Sequence, residues 1–233
     1  MSVLIANRPS RASLFRHLAL KDWSLNQWPL LAYTFCGLVS LFLITSQNKV
    51  IFHAGFVVLI SAVIVFGAHL VFSCVINETN NKTLPFVLSL PMTFVEYSIG
   101  KMLFAIGSFM VLWLILIGGI FLVTNSQEHM MAGMLPYFLI TMGYLFVAFV
   151  LTLSVAMIAE SHVWAIVVMS ICNISISIVM IAIAGIPSIG GSMGQASANW
   201  SPAVIGLLSG EALLIIGLLL GTIFIQSRKT EFL

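Results

Sequence analysis

ETNNKTLPFVLSLPMTFVEYSIGK, residues 78–101, is the one long polar interruption in a chain that otherwise reads as membrane beyond its N-terminal segment. Its residues have an internal order. Thr83 can cap a short helix, and Pro85 is tolerated in a first turn, where its missing N–H costs nothing. Leu84, Val87 and Leu88 fall at i, i+3 and i+4 and form one apolar stripe. Pro91 ends that helix near Leu90, because the residue before a proline is pushed out of the α region. Thr93 and Glu96 then have the spacing of a capping box just before a long apolar run. The stretch therefore predicts a short helix over 84–90, a break, and a newly capped helix that enters the bilayer.

Composition agrees with this reading. Of 233 residues, 61% are hydrophobic and 7% charged, against about 25% charged in a soluble domain. The fold class is an all-α polytopic membrane protein of one domain. A net charge of +2 is too small to suggest a nucleic-acid partner. Cys36, Cys74 and Cys172 sit in apolar runs without metal spacing and read as buried free thiols. The first apolar run has no small-residue cleavage site after it, so no secretory signal is expected.

Six apolar segments, near 29–46, 51–76, 98–124, 134–158, 162–185 and 202–226, are each long enough to cross about 30 Å of hydrocarbon. Before them, residues 10–26 predict an interfacial helix with Leu14, Phe15, Leu18 and Leu25 toward one side, Arg16, His17 and Ser24 on the other, and Asp22 intruding on the apolar arc. Trp23 and Trp28 stand where an aromatic belt would be. With the N-terminus inside, Arg8, Arg11, Arg16, Lys21, Lys82, Lys101, Arg228 and Lys229 share one side of the membrane, and Lys49 is on the other. This positive-inside bias makes both termini and the 78–101 stretch cytoplasmic. The expected organisation is a tail and interfacial helix over 1–28, a six-span domain over 29–228 with a long cytoplasmic loop at 77–97, and a tail over 229–233. The last external connection, IPSIGGSMGQASANWS (186–201), reads either as a flexible loop or as a short dip back toward the membrane.

No G-x-x-x-x-G-K-[ST], no H-E-x-x-H and no paired cysteines occur, so neither a catalytic nor a metal site is expected and the chain cannot cradle ATP phosphates itself. Gly190–Gly194 superficially suggests an intramembrane serine protease, but the intramembrane histidines belong to a distant helix. Glu211 falls near mid-bilayer, where a carboxyl is costly; it either lines a polar pathway or fixes helix packing. His69 and Asn173 are the other intramembrane polar candidates, and the depths of His69 and Glu211 differ by about 10 Å at 1.5 Å per residue. His53 reads as a plain interfacial residue, and Glu160 and His162 as a solvated turn. Gly206/Gly210 and Gly217/Gly221 are spaced for close helix approach, with packing inside the protomer preferred over dimerisation.

Glu78–Lys101 resembles the loop between the second and third spans of permeases of type-2 ATP-binding-cassette transporters. The residues that carry the resemblance are Glu78, Thr83, Leu84, Leu88, Leu90, Pro91, Thr93, Glu96, Gly100 and Lys101. Lys82, Pro85 and Phe94 depart from the family pattern. The resemblance implies that 84–90 is a coupling helix docked into an ATPase subunit. The expected contacts come from Glu78, Lys82, Thr83, Leu84, Val87, Leu88, Leu90, Pro91, Glu96 and Lys101. It also implies two separate ATPase subunits carrying ATP and Mg, a second permease copy or a sister permease, and a bacterial inner membrane. The expected function is export of a small or amphipathic substrate, with Glu211, Asn173 and His69 as the candidate pathway. The competing expectation is a self-contained channel or proton-coupled transporter using Glu211 and His69.

Overall fold

The structure, a computed structural model, describes residues 11–76, 94–126 and 132–228. Among these every regular element is helical. The helices are α1 (Arg11–Ile44), α2 (Lys49–Val71, continued by a π-helical turn over Phe72–Ile76), α3 (Phe94–Ser126), α4 (Leu135–Ala159, preceded by a 3-10 turn over Ala132–Met134), α5 (His162–Gly185), the four-residue α6 (Pro187–Gly190) and α7 (Pro202–Arg228). Six of them are long and apolar enough to cross a membrane. The chain is thus a multi-pass all-α membrane protein, and the six spans fall where the hydropathy places them.

The bundle is organised around α4. Two thirds of its most apolar window (67%) is buried, against 6% for α7. α4 packs on α2, α3, α5 and α7, while α1 packs chiefly on α2 and α3. A column of rings fills the centre. Phe109 of α3 stacks on Phe149 of α4 with centroids 4.1 Å apart and planes 4° from parallel, and Phe66 of α2 lies 6.3 Å away on a nearly parallel plane. Lipid is as apolar as a phenyl ring, so such a core is held by packing rather than by escape from water. Phe109→Ala leaves roughly 100 Å³ unfilled, which at ~24 cal/mol per Å³ should cost about 2 kcal/mol. Chemical unfolding in detergent would measure this, and an unchanged midpoint would mean that the stack contributes no packing energy.

The N-terminal helix differs from expectation. Residues 11–44 form one α-helix that runs through Pro29, rather than an interfacial helix followed by a separate span. The reason is a stripe common to both halves: Asp22, Asn26, Leu30, Gly37, Leu41 and Ile44 are all buried. Of the expected apolar side, Leu25 is 59% exposed while Asp22, the intruder on that arc, is buried; the side chains of Leu14, Phe15 and Leu18 lie outside those described. Trp23 and Trp28 are exposed, as a belt requires.

Glycines allow close approach, but not where their spacing suggested. A Cβ at Gly37 would strike Leu116, one at Gly119 would strike Leu41, and one at Gly55 would meet the backbone of Ile44. These single glycines bring α1 against α3 and α2. At Gly206, Gly210, Gly217 and Gly221 a Cβ would meet nothing within 4 Å among the described residues, so there the two spaced pairs on α7 do not make the close approach. The thiol expectation also needs correcting at one position. All three cysteines are free, but Cys36 is exposed, Cys74 is buried and Cys172 is half-buried.

Residues 186–201 fold back on the bundle. Ile189 of α6 is fully buried with Ile140, Ile183 and Val204, and the Gly133 amide donates to the Gln195 carbonyl at 3.0 Å. Between α4 and α5, Glu160 closes the helix in the left-handed region (φ 49°, ψ 25°), and both Glu160 and His162 are exposed. A left-handed non-glycine residue costs roughly 1–2 kcal/mol, so Glu160→Gly should stabilise the fold by about 1 kcal/mol. A lower melting temperature for this variant would show that the Glu160 side chain contributes more than its backbone loses.

Candidate functional site

Two places in the described residues gather polar side chains. The first is the base of the 77–93 segment. Glu78, Lys82, Thr83, Leu84, Val87, Leu88, Leu90, Pro91 and Thr93 lie outside the described residues, but the residues that flank the segment are described. Lys101, on the second turn of α3, donates from Nζ to both carboxylate oxygens of Asp22 at 2.9 and 2.8 Å, and both side chains are buried. Tyr97, one turn earlier on α3, places its ring centroid 5.8 Å from that ammonium, within cation–π range. Asn26, four residues after Asp22 and so on the same helix face, donates from Nδ2 to the Asp22 carbonyl at 2.7 Å. Ser73, in the π-helical turn that ends α2, donates to Asn26 Oδ1 at 2.7 Å. Ser73 and Lys101 stand on opposite sides of the 77–93 segment, and α1 holds both. Glu96 is half-buried in the first turn of α3.

Neutralising the pair is what allows an ammonium and a carboxylate to lie buried together. Either charge alone would carry a desolvation cost of several kcal/mol. The Lys101 ammonium is therefore engaged inside the chain. Asp22, Asn26 and Ser73 were not among the sequence candidates. The available signal was Asp22 itself, an acid on an otherwise apolar arc, with a lysine at the start of a later span.

The second place lies within the spans. Asn173 lines a cavity of about 30 Å³ between α2, α3, α4 and α5, together with Gly67, Ala68, Phe109, Tyr144, Phe149, Thr152, Met169 and Cys172. That volume holds one or two water molecules. The Tyr144 hydroxyl is fixed by the Cys172 carbonyl at 2.9 Å and the Ser175 hydroxyl at 2.6 Å. His69, next to the lining residue Ala68, is itself outside the lining; its ring lies 6.1 Å from Tyr33, and its Nε2 is buried with no hydrogen-bond partner among the described residues. Glu211 is elsewhere, against α4. Its Oε2 fills the space that a side chain at Gly143 would occupy, and that oxygen is buried with no hydrogen-bond partner among the described residues. The three intramembrane candidates thus do not form one site. Asn173 and the neighbourhood of His69 share a cavity, Glu211 belongs to the α4–α7 contact, and no hydrogen bond joins His69 to Glu211 among the described residues.

No protein-family model, curated protein or solved structure matches this chain.

Proposed function

We propose that this chain is the membrane subunit of an ATP-driven transporter of the type-2 ATP-binding-cassette kind, an exporter of small or amphipathic molecules in a bacterial inner membrane. It would work as a pair of permeases, two copies or one with a sister chain, above two separate ATPase subunits that carry ATP and Mg. The observation that carries the reading is the anchoring of both flanks of the 77–93 segment on α1: the buried Lys101–Asp22 pair, and the half-buried Ser73–Asn26 bond. A segment that only capped two spans would not need its flanks fixed to a third helix. A segment that receives force from a docked ATPase would. In this mechanism, closure of the ATPase pair moves the 84–90 helix, the motion enters α2 and α3 through their cytoplasmic ends, and α1 moves with them through the clamp. Access to the polar groups within the spans then changes sides.

The competing proton-coupled reading uses His69 and Glu211 as a relay, and these two groups share no hydrogen bond among the described residues. The deciding experiment is affinity purification of the tagged chain from gently solubilised native membranes. Recovery of an ATP-binding-cassette ATPase in about equal amount is the expected result. Recovery of the chain alone from membranes that contain such ATPases overturns the proposal.

A further inference from the structure

Glu211 stands half-buried on α7, which also packs on the core through Ile215, Leu218, Leu219 and Ile223. Val204 is buried in the small outer cluster, and Gln226 donates to the Met157 carbonyl at 2.6 Å. Between these anchors the carboxyl is set into α4 at Gly143, where the absence of a Cβ makes room for it. On the neighbouring side of α4, the half-buried Trp113 of α3 donates from its indole N–H to the Met142 carbonyl at 2.8 Å. The carboxyl therefore occupies a built notch rather than extending into lipid.

Among the described residues, no hydrogen-bond partner meets the buried Oε2 of Glu211. The helices that pack around this point are α3, α4 and α7. The described cations on them are Lys101, which is engaged by Asp22, and Arg228. Arg228 lies 17 residues further along α7, about 26 Å at 1.5 Å per residue. α4 carries no Lys, Arg or His. A carboxylate at this depth needs a counter-ion, and a carboxylic acid here would have an unmet O–H. Hard metal ions are poor candidates, because they require six or more oxygen ligands and one carboxyl is present. The ion that fits is large, apolar and weakly hydrated, with its charge spread over an organic frame. It can enter hydrocarbon at modest cost and pair with a single carboxylate.

We propose that Glu211 is a binding site for the cationic group of an amphipathic organic cation, seated at the Gly143 notch between α4 and α7. As a statement about the transported substrate this rests on the reading above; as a statement about binding it stands without it. The test uses the purified full chain in detergent, without ATPase, and radiolabelled tetraphenylphosphonium, with neutral triphenylphosphine oxide as the control ligand. The wild-type chain should bind the cation saturably. Glu211→Gln, equal in shape, should weaken that binding at least tenfold and leave the neutral ligand unaffected. Gly143→Ala is a second variant, which keeps the carboxyl but fills its notch, and it should weaken cation binding severalfold. Wild-type chain that binds no cation, or folded variants that bind it as the wild type does, overturns the proposal. Because ATPase co-purification is read separately, failure of one result leaves the other intact.

Discussion

Replacing Lys101 with methionine is expected to destabilise the protein by about 3–5 kcal/mol, the cost of stranding a buried charge once its partner is gone. The cost falls on Asp22, whose buried carboxylate loses both hydrogen bonds from the Lys101 ammonium. Asp22→Leu should be as harmful, because it takes both carboxylate acceptors from the buried ammonium of Lys101. The combination Asp22→Leu with Lys101→Met should recover most of the loss, since two apolar side chains of similar volume can replace a buried ion pair at little net cost. Reversible unfolding in mixed detergent, read for the wild type, both single variants and the double variant, gives the coupling directly. Losses that simply add in the double variant would show that the two charges do not stabilise one another.

Leu88→Asp should abolish association with the ATPase subunit while all six spans still insert. In the proposed 84–90 coupling helix, Leu84, Val87 and Leu88 would share one face by their i, i+3, i+4 spacing, and docking would bury that face. A carboxylate placed there without a partner costs several kcal/mol, and each 1.4 kcal/mol is a factor of ten in affinity, so the complex should be lost at ordinary concentrations. In that proposed helix Ser89 would lie on the opposite face from the stripe, so Ser89→Asp should leave assembly intact. Membrane fractionation confirms insertion for both variants, and co-purification reads assembly. Full recovery of ATPase with the Leu88 variant would remove this face from the docking surface.

The spans were legible because a bilayer sets one scale, about 20 apolar residues, and each of the six segments meets it. What the sequence could not give was pairing. Lys21 and Asp22 lower the local hydropathy just before the first span, so the pattern reads as a boundary. The structure has none, because Asp22 is neutralised by a lysine 79 positions away. The same long-range bond explains why Lys101, read as a docking contact through the resemblance, is engaged within the bundle. The glycines of α7 show a second limit. Their spacing says that close approach is sterically allowed, but not which neighbour comes near, and among the described residues none does. The depth difference between His69 and Glu211 was readable by counting residues, whereas the notch at Gly143 was not, since no local motif marks it.

The continuous α1 has a mechanical consequence. Its 34 residues make a rod of about 51 Å, pinned at Asp22. Eleven residues lie on the N-terminal side of the pin and twenty-two on the far side, up to Ile44. The pin is thus a fulcrum one third of the way along a lever, and a tilt that shifts the short arm by 1 Å sweeps the far end through about 2 Å. The long arm carries the contacts of Gly37 and Leu41 with α3, and Ile44 meets Gly55 of α2. A small displacement at the Arg11 end would thereby be doubled at the Ile44 end, where α1 and α2 meet.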